Sequence, residues 1–195
     1  MSLLHRLYEW SLARARSRHA LPSLFGISFI ESSVFPIPPD VLILPMVLAR
    51  REQAWMVATV ATLGSVLGGL AGYAIGYFFY EAVGQQILDF YGYLEKFTDF
   101  TAAYNEWGAW IVAGAGFTPF PFKVITIASG VTRLDLAVFL AASVVSRGAR
   151  FFLVAALLWW YGPPIRRFIE AYLPQLTLLF FLLLVGGFVA LKYLL

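Results

Sequence analysis

Apolar residues gather into five long stretches along this chain, separated by short polar or basic turns. Residues 53–80 carry no charge and exceed the roughly 20 residues that cross a bilayer core. Residues 175–191 are also uncharged, follow Pro174, and extend to Leu195 if Lys192 snorkels to the headgroups. Residues 136–161 have the length of a span but contain Arg147 and Arg150. The pattern predicts a transmembrane helix over each of the three.

The other two apolar stretches are interrupted. Residues 21–49 hold Pro22, Pro36, Pro38, Pro39 and Pro45, and residues 107–132 hold Pro119 and Pro121 among several glycines. Proline lacks an amide donor and clashes with the preceding turn, so P-I-P-P cannot lie within a straight helix. Broken backbone at membrane depth is tolerated only where protein or a wet cavity surrounds it. Both stretches therefore read as re-entrant helix–break–helix hairpins, with Pro36, Pro38, Pro39, Pro119 and Pro121 near the tips.

A shift of 83 residues superimposes the two: Pro36 falls on Pro119, Pro38 on Pro121, Val41 on Val124, Arg50 on Arg133 and Glu52 on Asp135. Each unit then reads as hairpin, charged turn and long span. An odd number of crossings between them would invert one relative to the other, an arrangement that builds a midplane site from discontinuous helices. The expected fold is an all-α polytopic membrane protein. It comprises an interfacial helix over 1–20, a core over 21–162 and a C-terminal span within 163–195. The core divides into re-entrant 21–49, span 53–80, external connection 81–106, re-entrant 107–132 and span 136–161.

Charge orients this scheme. With two hairpins, Arg6, Arg14, Arg16, Arg18, Arg50, Arg51, Arg166 and Arg167 lie inside, against Lys96, Arg133 and Lys192 outside. The positive-inside rule leans towards hairpins, and the prolines decide. Near the N-terminus, Leu3, Leu4, Leu7 and Trp10 share a helical face beside the arginines, as in a helix lying on an anionic cytoplasmic leaflet. A signal peptide is not expected there, because the apolar stretch that follows holds Glu31, three prolines and Asp40 and has no small-x-small site.

Composition narrows the classes. Charged residues make up only 13% of the chain and hydrophobic residues 61%, far from the balance of a soluble domain. No cysteine is present, and His5 and His19 both lie in the basic N-terminal stretch, so thiolate and most zinc chemistry are excluded. No metal and no cofactor are expected. Enzyme motifs such as G-x-S-x-G, a P-loop or H-E-x-x-H do not occur. The few basic residues are explained by topology, so nucleic acid is not an expected partner.

Five ionisable residues remain inside apolar sequence: Glu31, Asp40, Lys123, Arg147 and Arg150. Each costs several kcal/mol or more against lipid, so all should face the protein interior. Asp40 falls on Lys123 in the repeat, so two tips meeting at the midplane would bring opposite charges together. Arg147 and Arg150, three apart, share one helical face. Two readings stand: structural ion pairs locking hairpins to spans, or a site. In the site, Arg147, Arg150 and Lys123 hold an anion, and Glu31 and Asp40 carry protons. Arginine suits phosphate because its planar fork donates two hydrogen bonds at once. Gly64, Gly68, Gly72 and Gly76 form a small-xxx-small ridge that permits close helix packing.

These residues resemble a known family. F-I-E-S-S-V-F-P-I-P-P-D (29–40) is similar to the first hairpin of DedA/VTT-domain membrane proteins, and the glycines of 64–76 to the span that follows it. F-T-P-F-P-F-K-V-I-T-I-A-S-G-V (117–131) resembles their second hairpin, and P-F-K with S-R-G-A-R resembles the YqaA-like branch. The resemblance covers roughly residues 20–162. Gly116 and Phe122 stand where the family has arginines flanking the second-hairpin proline, and Gly69 stands near a family acid. Lys123, Arg147 and Arg150 would then supply the positive charge. The resemblance implies transbilayer movement of a phospholipid or polyprenyl-phosphate carrier dependent on the proton gradient, with Glu31 and Asp40 as the coupling acids. It also implies a bacterial inner-membrane location, in which the basic N-terminal stretch puts the N-terminus on the cytoplasmic side.

The expected function is thus a transporter of a phospholipid-type or polyprenyl-phosphate lipid, with membrane lipids and coupling protons as partners. A proton-coupled ion or small-solute transporter is the alternative, and a non-transporting membrane scaffold the alternative of another class. Homo-oligomerisation is left open.

Overall fold

The computed structural model describes residues 19–34, 38–118, 120–162 and 164. Nearly all of the interfacial helix expected over 1–20 and of the C-terminal span expected within 163–195 lies outside these residues. So do Pro36 and Pro119. The described residues are helices joined by short breaks, without a strand.

Helix α1 spans Ala20–Ser33 and accepts Pro22 in its first turn, where the amide would lack a helical partner anyway. Its last bond runs from the Val34 amide to the Ile30 carbonyl, and the chain then enters the proline run. Helix α2, Asp40–Ala49, starts directly after Pro39 and places Asp40 in its first turn, where a carboxylate complements the helix dipole. At about 1.5 Å per residue, these 14 and 10 residues reach roughly 21 and 15 Å, short of a bilayer core of about 30 Å.

Helix α3, Ala54–Phe79, follows a 3-10 turn over Arg51–Gln53 and is long enough to cross. It continues through one π turn, Tyr80–Gly84, into α4, Gln85–Phe90. Helix α5, Leu94–Phe117, is one continuous rod. The boundary expected at residue 107 is therefore no break, and much of the connection expected over 81–106 is helical. It ends at Thr118, which is extended as the residue before a proline tends to be. Helix α6, Phe122–Val131, is followed by a tight turn in which Arg133 adopts φ 53°. Helix α7, Leu136–Gly162, is the second helix of crossing length and is capped by Asp135, whose Oδ1 accepts the Val138 amide at 2.9 Å.

The glycines of α3 determine what packs on it. A methyl group at Gly64 would lie 2.6 Å from the Phe25 carbonyl oxygen, and one at Gly68 would collide with the Phe29 carbonyl, both on α1. One at Gly72 would strike Thr126, and one at Gly76 the Ile127 carbonyl, both on α6. Gly130 returns the fit against the Tyr73 carbonyl. One ridge thus seats both proline-interrupted segments, α1 by its first half and α6 by its second.

Two apolar clusters flank this spine. The first joins Ala20 and Leu24 of α1 to Ile43, Met46 and Val47 of α2, Val57 of α3 and Phe151 of α7. The second joins Tyr104 and Val112 of α5, Phe122 of α6 and Phe139 of α7. Outward faces remain apolar: Leu63, Leu67 and Ile75 on α3, and Val144, Val145, Leu153 and Leu157 on α7, are all exposed. Patches this extensive suit lipid contact.

Candidate functional site: ion pairs at the helix breaks

Between the clusters lies the polar interior. Arg147 of α7 is 2% exposed, and its guanidinium lies over the rings of Phe122 and Phe151, at 5.0 and 4.7 Å. Aromatic faces accept a cation but do not neutralise it. Glu31, near the end of α1, does: Arg147 Nη2 donates to Glu31 Oε2 at 2.6 Å.

The remaining donors close a ring. Arg147 Nε donates to Ser65 Oγ at 2.6 Å, and Ser32 Oγ donates to Glu31 Oε2 at 3.0 Å. With those roles taken, the 2.7 Å contact between Ser65 and Ser32 is donated by Ser65. The Ser32 carbonyl in turn accepts from Thr126 Oγ1 at 3.0 Å, tying α1 to α6. Each of the four side chains in the ring thus makes one hydrogen bond to each of its two neighbours, the connectivity that offsets the burial of polar groups.

The second pair is more open. Arg150 Nη2 donates to Asp40 Oδ2 at 2.6 Å, with side chains 18% and 23% exposed. Its Nη1 donates to the Thr118 carbonyl at 2.6 Å. Asp40 opens α2 after the first break, and Thr118 closes α5 before the second. A single guanidinium therefore holds the edges of both breaks. Lys123, just past the second break, donates from Nζ to the Val34 carbonyl at the first, at 3.1 Å.

The structure thus gathers Glu31, Asp40, Lys123, Arg147 and Arg150 around the breaks, and pairs them differently from the simplest reading of the repeat. Asp40 is engaged by Arg150, while Lys123 satisfies a backbone carbonyl that the break leaves without a helical donor. Pro38 and Pro39 lead into α2, and Pro121 into α6. Ser32, Ser65 and the Thr118 and Val34 carbonyls were not singled out from sequence. Ser65 carries a faint signal, a hydroxyl beside Gly64 in an uncharged span. Among the described residues, no three His, Cys, Asp or Glu side chains stand close enough to hold a metal.

Two helices long and apolar enough to cross, apolar outward faces and buried charges near the helix breaks are consistent with a helical membrane protein that has a polar core. Residues 37–159 match the VTT domain, and the chain belongs to that family, the DedA family. An uncharacterized protein of Haemophilus influenzae is 36% identical over 162 residues, 83% of this chain and 84% of its own. One from Histophilus somni is 37% identical over the same shares. The inner membrane protein YqaA of Escherichia coli is 35% identical over 60 residues, 31% of this chain and 42% of its own. No solved structure matches the chain.

Proposed function

We propose that this protein moves a phospholipid-type or polyprenyl-phosphate lipid across the bilayer, coupled to protons through Glu31 and Asp40. The observation that carries this reading is Arg150 bonded to Asp40 and to the Thr118 carbonyl at once. A proton on Asp40 removes the charge from that contact and frees one edge of the guanidinium for a lipid phosphate. Arg147 and Lys123 add positive charge on the same path. The buried Glu31 pair, closed into a hydrogen-bonded ring with Ser32 and Ser65, holds α7 against α1 while the outer pair exchanges partners. The short α1, α2 and α6 support the re-entrant reading, as does the apolar cluster shared by the start of α1 and the end of α2.

On this proposal the chain lies in the inner membrane, supported by the name of its relative YqaA, with the Arg50 end of α3 cytoplasmic. Single cysteines introduced at positions 50 and 96 should react with an impermeant thiol reagent from inside and outside respectively. Labelling of position 50 in intact cells would sink the re-entrant topology.

The function itself is tested by reconstitution into liposomes carrying fluorescent phospholipid. Expected is lipid movement well above protein-free vesicles, accelerated when a pH gradient is imposed. Movement that ignores the gradient removes proton coupling. No lipid movement, with a small ion crossing instead, favours the proton-coupled solute transporter. Neither activity leaves the scaffold, with the ion pairs as fasteners.

A further inference from the structure

Away from the breaks, a cleft of about 530 Å³ is lined by Arg51, Trp159 and Trp160. Trp159 lies 12 residues beyond Arg147 on α7, roughly 18 Å along the helix, so the cleft is separate from the ion-pair core. We propose that it is a binding site for the phosphate headgroup of an anionic phospholipid, seated at the membrane surface.

Three observations carry the proposal. First, among the described residues the lining is one cation and two indoles without an acid, so the polar side-chain groups it offers are donors. Second, the arginine is incompletely satisfied: Nη2 of Arg51 is buried without a hydrogen-bond partner. Nη2 itself is covered by protein against Gly162, so a phosphate oxygen in the cleft meets Arg51 at the part of the side chain that lines it, and adds an acceptor to a guanidinium short of one. Third, the end of α7 is shaped around this side chain. A methyl group at Gly162 would collide with Arg51 Nη2 and lie 2.6 Å from its central carbon, so a residue without Cβ is needed for the guanidinium to rest there.

The setting selects a lipid over a free anion. The cleft joins the turn before α3 to the last turns of α7, the corresponding ends of the two helices both long and apolar enough to cross. Trp55, Trp159 and Trp160 gather there, with Trp55 and Trp159 in ring contact at 6.1 Å and Trp160 75% exposed. Indoles at the ends of spans sit at headgroup depth, and an arginine among them meets phosphate edge-on through its fork.

The test uses the full chain, delipidated in neutral detergent and given dioleoyl phosphatidylglycerol or dioleoyl phosphatidylcholine, with bound lipid read by native mass spectrometry. Wild type should retain phosphatidylglycerol about tenfold more strongly, the factor expected from one charge-assisted contact. Arg51→Gln should bring the two lipids within about twofold of each other. Gly162→Ala, which keeps the charge but displaces the guanidinium, should do the same. Trp160→Ala, at a position 75% exposed, should weaken retention of phosphatidylglycerol. Arg133→Gln, at the far end of α3, controls for net charge and should keep the preference. A preference unchanged in the folded cleft variants overturns the site, and so does an equal loss in Arg133→Gln. A preference erased by an equal concentration of inorganic phosphate overturns the lipid as ligand and leaves a free-phosphate site.

Discussion

Arg147→Met should lower stability by about 3–5 kcal/mol, because it removes one partner of a buried pair and leaves the other uncompensated. Glu31 would lose the cation paired with it, and Ser65 would lose the donor at its oxygen, opening the ring at two points. In detergent this corresponds to melting earlier by roughly 10 °C for a chain of this size. The double variant Glu31→Leu with Arg147→Met separates cost from need. Replacing a buried ion pair by apolar residues of similar volume is often neutral or stabilising, so melting should return to within a few degrees of wild type. Transport should not return. An Arg147→Met protein that melts with the wild type would show that the ring contributes nothing to the fold.

This ring also marks where legibility from sequence ends. The long spans were readable because lipid demands an uninterrupted apolar run: 53–80 became α3 over Ala54–Phe79, and 136–161 became α7 over Leu136–Gly162. Proline likewise announced where α2 and α6 had to begin. The start of α5 was not readable. Residues 94–106 are polar enough to resemble a connection, yet no proline or glycine interrupts them before Gly108, so the helix simply continues.

Partner choice was harder still. Glu31 and Asp40 were visible as costly charges, and Arg147 and Arg150 as neighbours on one face. Which acid meets which base depends on how α7 lies across the first break, and the pairs join residues 116 and 110 positions apart. The repeat suggested Asp40 with Lys123 because it aligns them in sequence. In three dimensions Lys123 instead answers the Val34 carbonyl, a need that no side-chain pattern reveals. The glycine ridge was legible as a packing face but not as a shared one. That α1 takes Gly64 and Gly68 while α6 takes Gly72 and Gly76 follows from the length of the helix and the placement of both breaks beside it.

Asp40→Asn should leave a folded protein that no longer transports. The argument rests on the contrast between the pairs. Glu31 and Arg147 are largely buried in a closed ring, whereas Asp40 and Arg150 leave about a fifth of their side-chain surface uncovered by protein. Arg150 also retains the Thr118 carbonyl when Asp40 is neutralised, so its charge is neither fully buried nor without an acceptor. The stability cost should therefore stay near 1 kcal/mol, the scale of one partly exposed hydrogen-bonded contact. Asparagine keeps the size and an oxygen acceptor but cannot take up and release a proton. Lipid movement under a pH gradient should accordingly fall to the level of empty liposomes while melting stays within a few degrees of wild type. The scaffold reading predicts the reverse order of effects: early melting or degradation of Asp40→Asn, with recovery in the swap Asp40→Arg with Arg150→Asp. Under the carrier reading that swap restores folding at most, because the proton-bearing group then sits on α7 instead of at the break. A stable Asp40→Asn protein that transports at the wild-type rate would remove Asp40 from both accounts and leave Glu31 as the sole candidate for coupling.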